Sequence, residues 1–171
     1  MDEIVVDFKS ESKKLVEEMM EILEEVDGQY VHRFMLENYG QLVDRIMGGA
    51  KNLALIVEKP DPIEKIGKYA ELCKLVGYKS SQVAEEQLFT ISVALLLDAT
   101  EMLRDMIIFL ETDKEVDVKG LLNNTFLDRL SWVATKFDES LRASVAINKG
   151  IAPKNSQDQI DALLKQLGIL N

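Results

Sequence analysis

The 171-residue chain carries 30 acidic and 20 basic side chains, so its formal net charge is −10. This charge disfavours binding to nucleic-acid phosphates, which require a basic surface, and to anionic membranes. Hydrophobic residues make up 47% of the sequence, which is enough for a sizeable core in one domain. We therefore expect a globular protein whose partners are neither nucleic acid nor membrane.

The N-terminal segment, the single cysteine and the single histidine indicate where the protein is located and which sites it lacks. The segment MDEIVVDF is acidic where a signal peptide is basic, and the longest apolar run, residues 93–97, is too short to span a bilayer. Cys73 is the only cysteine, so an internal disulfide is excluded and a reducing, cytoplasmic location is expected. With His32 as the only histidine, we expect no metal and no cofactor bound by this chain.

Apolar residues recur at helical spacing along nearly the whole chain, and the alternation typical of strands is scarce. The pattern predicts five main helices, over about residues 3–26, 30–57, 61–77, 81–110 and 119–148. Asp61 is the predicted N-cap of the third helix, and Gly77 its predicted end. Long helices with short connections predict an all-α fold, an antiparallel up-down bundle of four to five helices.

The fourth helix is apolar on nearly all sides over residues 88–97. Such a helix is either central in the bundle or covers an interface between copies, so a homodimer is one candidate assembly. Trp132, in the fifth helix, is interpreted as a core residue.

The C-terminal part of the chain differs in character from the bundle, which we assign to residues 1–148. Residues 149–155 are predicted to be a flexible linker, and residues 156–168 a short amphipathic helix. Ser156 and Gln159 have the spacing of a capping box, and Gly168 is the predicted C-cap. One stripe carries Ile160, Leu163, Leu164 and Leu167. This helix either docks in a partner's groove or folds back on its own bundle.

Polar residues form a column along the second helix, opposite its predicted core face. At 100° per residue, the core stripe comprises Tyr39, Leu42, Ile46, Ala50, Leu53 and Val57. The opposite side carries Glu37, Gln41, Asp44 and Gly48. Gly49 lies near the core stripe, where it would allow close helix packing, but packing within the bundle cannot explain Gly48. A column of this kind is either a solvated face or a surface that a partner approaches closely.

Two stretches resemble a known domain family. MDEIVVDFKSESKKLVEEMMEIL resembles the start of the phosphotransfer domain of the chemotaxis kinase CheA, and DRIMGGAKNLAL is similar to the histidine-phosphotransfer (Hpt) motif. The resemblance covers about residues 1–111 and implies an Hpt-like bundle that docks receiver domains. Asp44 stands in the position of the phosphorylated histidine and Met47 in that of the following lysine. The resemblance therefore implies docking without phosphorelay through histidine.

The C-terminal segment NSQDQIDALLKQLGIL resembles the C-terminal peptide of the chemotaxis phosphatase CheZ and a segment of the flagellar switch protein FliM. Both of those segments bind the response regulator CheY. The resemblance implies that a CheY-like receiver domain is the partner, with Mg²⁺ held by the receiver. The contacts would be made by Ser156, Gln157, Asp158, Ile160, Asp161, Leu163, Leu164 and Leu167, and by Gly48 on the second helix.

ENYGQLVDR is similar to the CheZ segment in which an acidic residue precedes a glutamine by four positions. In that family the glutamine amide orients the attacking water, and the acidic residue pairs with a lysine of the receiver. The resemblance implies these catalytic roles for Gln41 and Glu37, although Glu37 is one methylene longer than the family's aspartate. Asp44 is the alternative partner for the lysine, because it also neighbours Gln41.

Three functions remain open from the sequence. The first is a phosphatase that acts on the aspartyl phosphate of a CheY-type regulator in chemotaxis or two-component signalling. The second is a non-catalytic docking module that sequesters or localises a receiver domain. The third is a structural bundle that self-associates through the fourth helix.

Overall fold

Six α-helices and one 3-10 helix account for most of what the computed structural model describes, namely residues 2–110, 112, 120, 123–138, 140–141 and 156–170. The helices are α1 (Glu3–Val26), a 3-10 helix (Tyr30–Met35), α2 (Leu36–Ala54), α3 (Asp61–Ser81), α4 (Glu86–Ile108), α5 (Asn124–Lys136) and α6 (Ser156–Gln166). These ranges contain no strand, so the predicted all-α helical bundle is confirmed. The predicted linker, residues 149–155, lies outside them.

Helices α1 to α4 form the four sides of the bundle. Helix α2 packs against α1 and α3, and α4 packs against the other faces of the same two helices. Near the start of α1, Lys9 Nζ donates a hydrogen bond to the Leu110 carbonyl oxygen just beyond α4 (3.0 Å), as antiparallel neighbours require. Helix α5 covers α4, and α6 packs on both α3 and α5. The apolar surround of α4 is thus explained by its position among α1, α3 and α5.

Helices α2 and α3 are held together by two reciprocal contacts between tyrosine and glycine. A Cβ atom built on Gly40 of α2 would lie 2.6 Å from the Tyr78 ring of α3, and one built on Gly77 would lie 2.7 Å from the Tyr39 ring. Each tyrosine therefore occupies the space that a side chain on the facing glycine would need. Because the helices are antiparallel, the pair Tyr39-Gly40 meets the pair Gly77-Tyr78 in reversed order.

The tyrosine hydroxyls that enter the core find partners on α4. Tyr39 Oη lies 2.9 Å from Thr100 Oγ1, and Tyr69 Oη donates to the Ala99 carbonyl oxygen at 3.0 Å. A buried hydroxyl without a partner would cost about 1–3 kcal/mol, so these bonds remove a penalty that burial imposes. These two hydrogen bonds and the Tyr39–Gly77 contact determine which faces of α2 and α3 are turned toward the core.

Several predicted helix boundaries are wrong. Helix α3 does not end near Gly77 but continues to Ser81, because Gly77 serves a close helix approach and not a C-cap. Asp61 is not an N-cap; it lies inside α3, where its carboxylate is 3.2 Å from Lys65 Nζ. Within the predicted range 119–148, the structure describes a helix over Asn124–Lys136, capped by Asn123 through its bond from the Phe126 amide (2.8 Å), and residues 142–148 lie outside the described residues.

Two further features of the second and fifth predicted helices differ from expectation. The predicted helix over residues 30–57 begins as a 3-10 helix and ends at Ala54, three residues short of its predicted end. Trp132 is not a core residue; it is 44% exposed, and Lys136 Nζ lies 5.5 Å from its ring centroid.

None of the helices in the described ranges combines the length and the apolar character needed to cross a bilayer.

Two glycines in the described residues have positive φ, and both serve turns. Gly28 (φ 69°) follows Asp27 (φ −60°, ψ 121°) in a type II turn closed by the bond from Gln29 N to Val26 O at 2.9 Å. Gly168 (φ 77°) ends α6 as predicted. The amides of Gly168 and Ile169 donate to the carbonyls of Lys165 and Leu164, in the pattern of a Schellman motif.

Glycine replacements in α2 should separate packing from helix propensity. We expect Gly48→Ala to raise the free energy of unfolding by about 1 kcal/mol, because its Cβ meets no atom within 4 Å. We expect Gly40→Ala to lower it by about 1–3 kcal/mol, because the Tyr78 ring must move. Urea unfolding of both variants is the measurement, and equal effects would contradict the proposed interlock.

Burial also makes the core sensitive to alkali. The pKa of the Cys73 thiol is raised to about 12 by burial, and the pKa values of Tyr39 and Tyr69 are raised for the same reason. Between about pH 9 and 12 the unfolded chain loses the thiol proton that the folded chain retains. We therefore expect the free energy of unfolding to fall with rising pH in this window.

The matched control is Cys73→Ala, which removes the thiol from a site that is already apolar. Its alkaline decline should be shallower than that of the wild-type chain, although the two tyrosines preserve part of it. Identical slopes for the two proteins would show that Cys73 does not titrate as described.

Candidate functional site

The predicted polar residues of the second helix do lie together on the outer side of α2, and we call Glu37, Gln41, Asp44 and Gly48 the α2 column. Glu37 and Gln41 are exposed, whereas Asp44 and Gly48 are half-buried. A Cβ atom on Gly48 would meet nothing within 4 Å, so the space above this glycine is open. By contrast, a Cβ on Gly49 would lie 3.2 Å from the Phe8 ring of α1, which is the packing role expected of that glycine.

No described helix covers the α2 column. The long helices beside α2 are α1 and α3, and both pack against its flanks. Helix α5 packs against α4 and α6, so in the described part of the chain it leaves this face of α2 accessible. At successive turns, the accessible face of α2 therefore presents the amide of Gln41, the carboxylate of Asp44 and the backbone at Gly48.

The two carboxylates of the column have different surroundings. Asp44 Oδ1 lies 2.5 Å from Lys74 Nζ on α3, and the Lys74 side chain is only 15% exposed. Glu37 forms no ion pair with any residue in the described ranges. A cation from outside would thus meet an unpaired carboxylate at Glu37 and an already neutralised one at Asp44.

Tyr78 lies between these carboxylates, because its ring occupies the notch at Gly40. Its hydroxyl is buried and has no hydrogen-bond partner among the described residues. The pKa of Tyr78 is raised by burial and, to a smaller extent, by the negative charges of Asp44 and Glu37. Tyr78 therefore lies close enough to both carboxylates to be affected by their charge, although Lys74 pairs with Asp44. Neither Tyr78 nor Lys74 was identified from the sequence, although the glycines at 40 and 77 signalled a close approach.

His32 is not at the column and is not packed in the core. It is exposed on the 3-10 helix, where its ring stands edge-on to Phe34 with centroids 6.3 Å apart. The described residues contain no group of three or more histidine, cysteine or acidic side chains arranged to hold a metal ion.

The C-terminal helix α6 folds back on the bundle, which is one of the two arrangements that the sequence allowed. Its apolar stripe is buried against α3 and α5: Ile160, Leu163, Leu164 and Leu167 are 1–6% exposed. In this arrangement the predicted partner-binding stripe is already occupied by the chain itself. Binding of a receiver through this stripe would require α6 to leave the bundle.

Polar contacts also tie α6 to the bundle. The Lys79 ammonium, fully buried at the end of α3, donates to Ser156 Oγ (2.6 Å) and to Gln159 Oε1 (3.1 Å). The two residues of the predicted capping box thus hold a lysine from another helix. Burial lowers the pKa of Lys79, and no carboxylate in the described ranges forms an ion pair with it.

The remaining predicted contact residues of α6 have local roles or are exposed. Gln157 accepts from the Ser131 hydroxyl of α5 (3.1 Å) and donates to Asp161 Oδ1 (2.7 Å). Asp158 is exposed on the outer side of α6. The predicted residues therefore form two separate groups, one on the open α2 column and one on the docked α6.

Comparison of the chain with protein-family models, with curated protein sequences and with solved structures finds no match.

A charge placed in the α6 stripe should release this helix. We expect Ile160→Asp to accelerate hydrogen exchange of the α6 amides at least about tenfold, because a buried carboxylate without a partner opposes docking. Gln166→Asp adds the same charge at an exposed position of α6 and should leave exchange unchanged. Equal protection in both variants would contradict the docking of α6 through its apolar stripe.

Proposed function

We propose that the chain binds a CheY-type receiver domain on the α2 column and promotes hydrolysis of the receiver's aspartyl phosphate. The observation that carries this proposal is the exposed amide of Gln41 on a rigid helix, with no described element above it. The CheA-, CheZ- and FliM-like stretches of sequence are the basis for the choice of partner and for the proposed role in chemotaxis signalling in the cytoplasm.

In the proposed reaction, the chain supplies position and the receiver supplies Mg²⁺ and a lysine. The Gln41 amide holds a water molecule in line with the phosphorus atom. The water oxygen forms a bond to phosphorus as the bond from phosphorus to the aspartate oxygen breaks, releasing inorganic phosphate and a free carboxylate. A 100-fold acceleration requires only about 2.7 kcal/mol, which one well-oriented side-chain amide can supply.

Glu37 is the better of the two candidate partners for the receiver's lysine. Asp44 is already paired with Lys74 at 2.5 Å, so using it would require that internal ion pair to open. Glu37 is exposed and lies one turn before Gln41 on the same face. Open space above Gly48 gives the rim of the receiver's active site room to approach the helix backbone.

A docking module without catalysis is the second candidate. The Asp44–Lys74 ion pair supports it, because Asp44, which the resemblance aligns with the phosphorylated histidine of the Hpt motif, is already engaged within the chain. Such a module would sequester or localise the receiver while leaving the phosphoryl group intact. In either function, the α6 stripe would contribute only after it has left α3 and α5.

Removing the Gln41 amide should separate the two functions. We expect the full chain to accelerate dephosphorylation of an acetyl-phosphate-loaded CheY-type receiver, and Gln41→Ala to lower that acceleration by at least about tenfold. Release of inorganic phosphate is the measurement.

The matched control is Gln87→Ala, which removes an exposed glutamine from the first turn of α4 and should change nothing. Full activity of Gln41→Ala would show that the site is assigned wrongly. A wild-type chain that binds the receiver and slows phosphate loss would establish the docking module instead.

A further inference from the structure

Large apolar side chains are exposed on the 3-10 helix that leads into α2. Val31 is 68% exposed and Phe34 is 62% exposed. An aromatic side chain left in solvent costs free energy unless a partner covers it, and aromatic residues are enriched among those that dominate binding. This part of the surface has no role in the packing of the bundle.

The 3-10 helix is held firmly against the bundle by its first residue. Tyr30 Oη donates to the Val83 carbonyl oxygen at 3.2 Å, and the Tyr30 ring stands edge-on to Phe89 with centroids 5.6 Å apart. The Arg33 guanidinium lies 4.4 Å from the Tyr30 ring centroid. Phe34 is thus presented on an anchored segment, so little conformational entropy is lost when a partner covers it.

The register of the chain places Phe34 at the head of the α2 column. From Phe34 onward the chain continues into α2 without a break, since Met35 and Leu36 both have right-handed helical angles, and the kink of the 3-10 helix lies earlier, at His32 (φ −99°, ψ 15°). Phe34 precedes Glu37 by three residues and Gln41 by seven, which are spacings that share a helix face. An apolar ring, an unpaired carboxylate and a free amide therefore follow one another along one line.

We propose that Phe34, with the exposed Val31 three residues before it, is the apolar anchor of the docking surface, and that its occupant is a receiver surface that carries an apolar side chain next to its basic lysine. This inference rests on the proposed function and extends it to residues that none of the resemblances assigns. The apolar side chain packs on Phe34, and the basic one reaches Glu37.

Charge complementarity selects this occupant over a second copy of the chain. Glu37 is exposed and has no ion partner in the described ranges, whereas Asp44 is already paired with Lys74. Two copies of a chain with net charge −10 would oppose one acidic column to another. A basic side chain from a receiver would instead complete the pair that Glu37 lacks.

Phe34→Ala in the full chain tests the anchor. The probe is a CheY-type receiver domain activated with beryllofluoride, and the measurement is its dissociation constant by calorimetry. We expect Phe34→Ala to raise that constant at least about tenfold, because a buried aromatic anchor is lost. Leu55→Ala removes an 83% exposed side chain at the far end of α2 and should leave the constant within about twofold.

A second arm tests the charge. We expect Glu37→Gln to slow association and to flatten its dependence on salt concentration. If the wild-type chain binds but Phe34→Ala binds equally well, the anchor is wrong while the proposed function stands. A wild-type chain that does not bind the receiver overturns both, and a Phe34→Ala variant that changes only the chain's own oligomeric state identifies a second copy as the occupant.

Discussion

The contact between Tyr39-Gly40 of α2 and Gly77-Tyr78 of α3 is the constraint on which the rest of the structure depends. Because each ring fills the notch of the facing glycine, the two helices approach closely in only one register and one rotation. Tyr39 is thereby directed to Thr100 in the core, and Gln41, two residues later, must point away from it. The outward α2 column is a consequence of this interlock, and so is the position of Tyr78 between Glu37 and Asp44.

The periodic pattern of apolar residues was sufficient to predict the all-α bundle and the two faces of α2, because both follow from local spacing. The end of α3 was placed wrongly at Gly77, since a glycine that stops a helix and one that admits a neighbouring ring look alike in sequence. The sequence could not show that Ser156 and Gln159, which have the spacing of a capping box, accept hydrogen bonds from Lys79, because Lys79 lies 77 residues before Ser156. The surroundings of Asp44 likewise depend on α3 and could not be derived from α2 alone.

The two surfaces that the sequence pointed to, the α6 stripe and the α2 column, differ in their exposure. The stripe of α6 is covered by α3 and α5, and its release exposes four apolar side chains and strips Lys79 of its hydrogen-bond acceptors. The α2 column needs no rearrangement, because its amide, its free carboxylate and the space above Gly48 are already accessible. A partner that recognises the folded chain should therefore meet α2 first, and this order makes Gln41 and Glu37 the residues on which the proposed function rests.

A map of amide chemical shifts would show whether a receiver domain binds the outer face of α2, as we propose. The ¹⁵N-labelled full chain would be titrated with unlabelled, beryllofluoride-activated CheY-type receiver. We expect the largest changes at the amides of residues 34–48, including Gly48, and at Lys74 and Tyr78 of α3. Changes confined to α5 and α6, with residues 34–48 unaffected, would contradict this proposal.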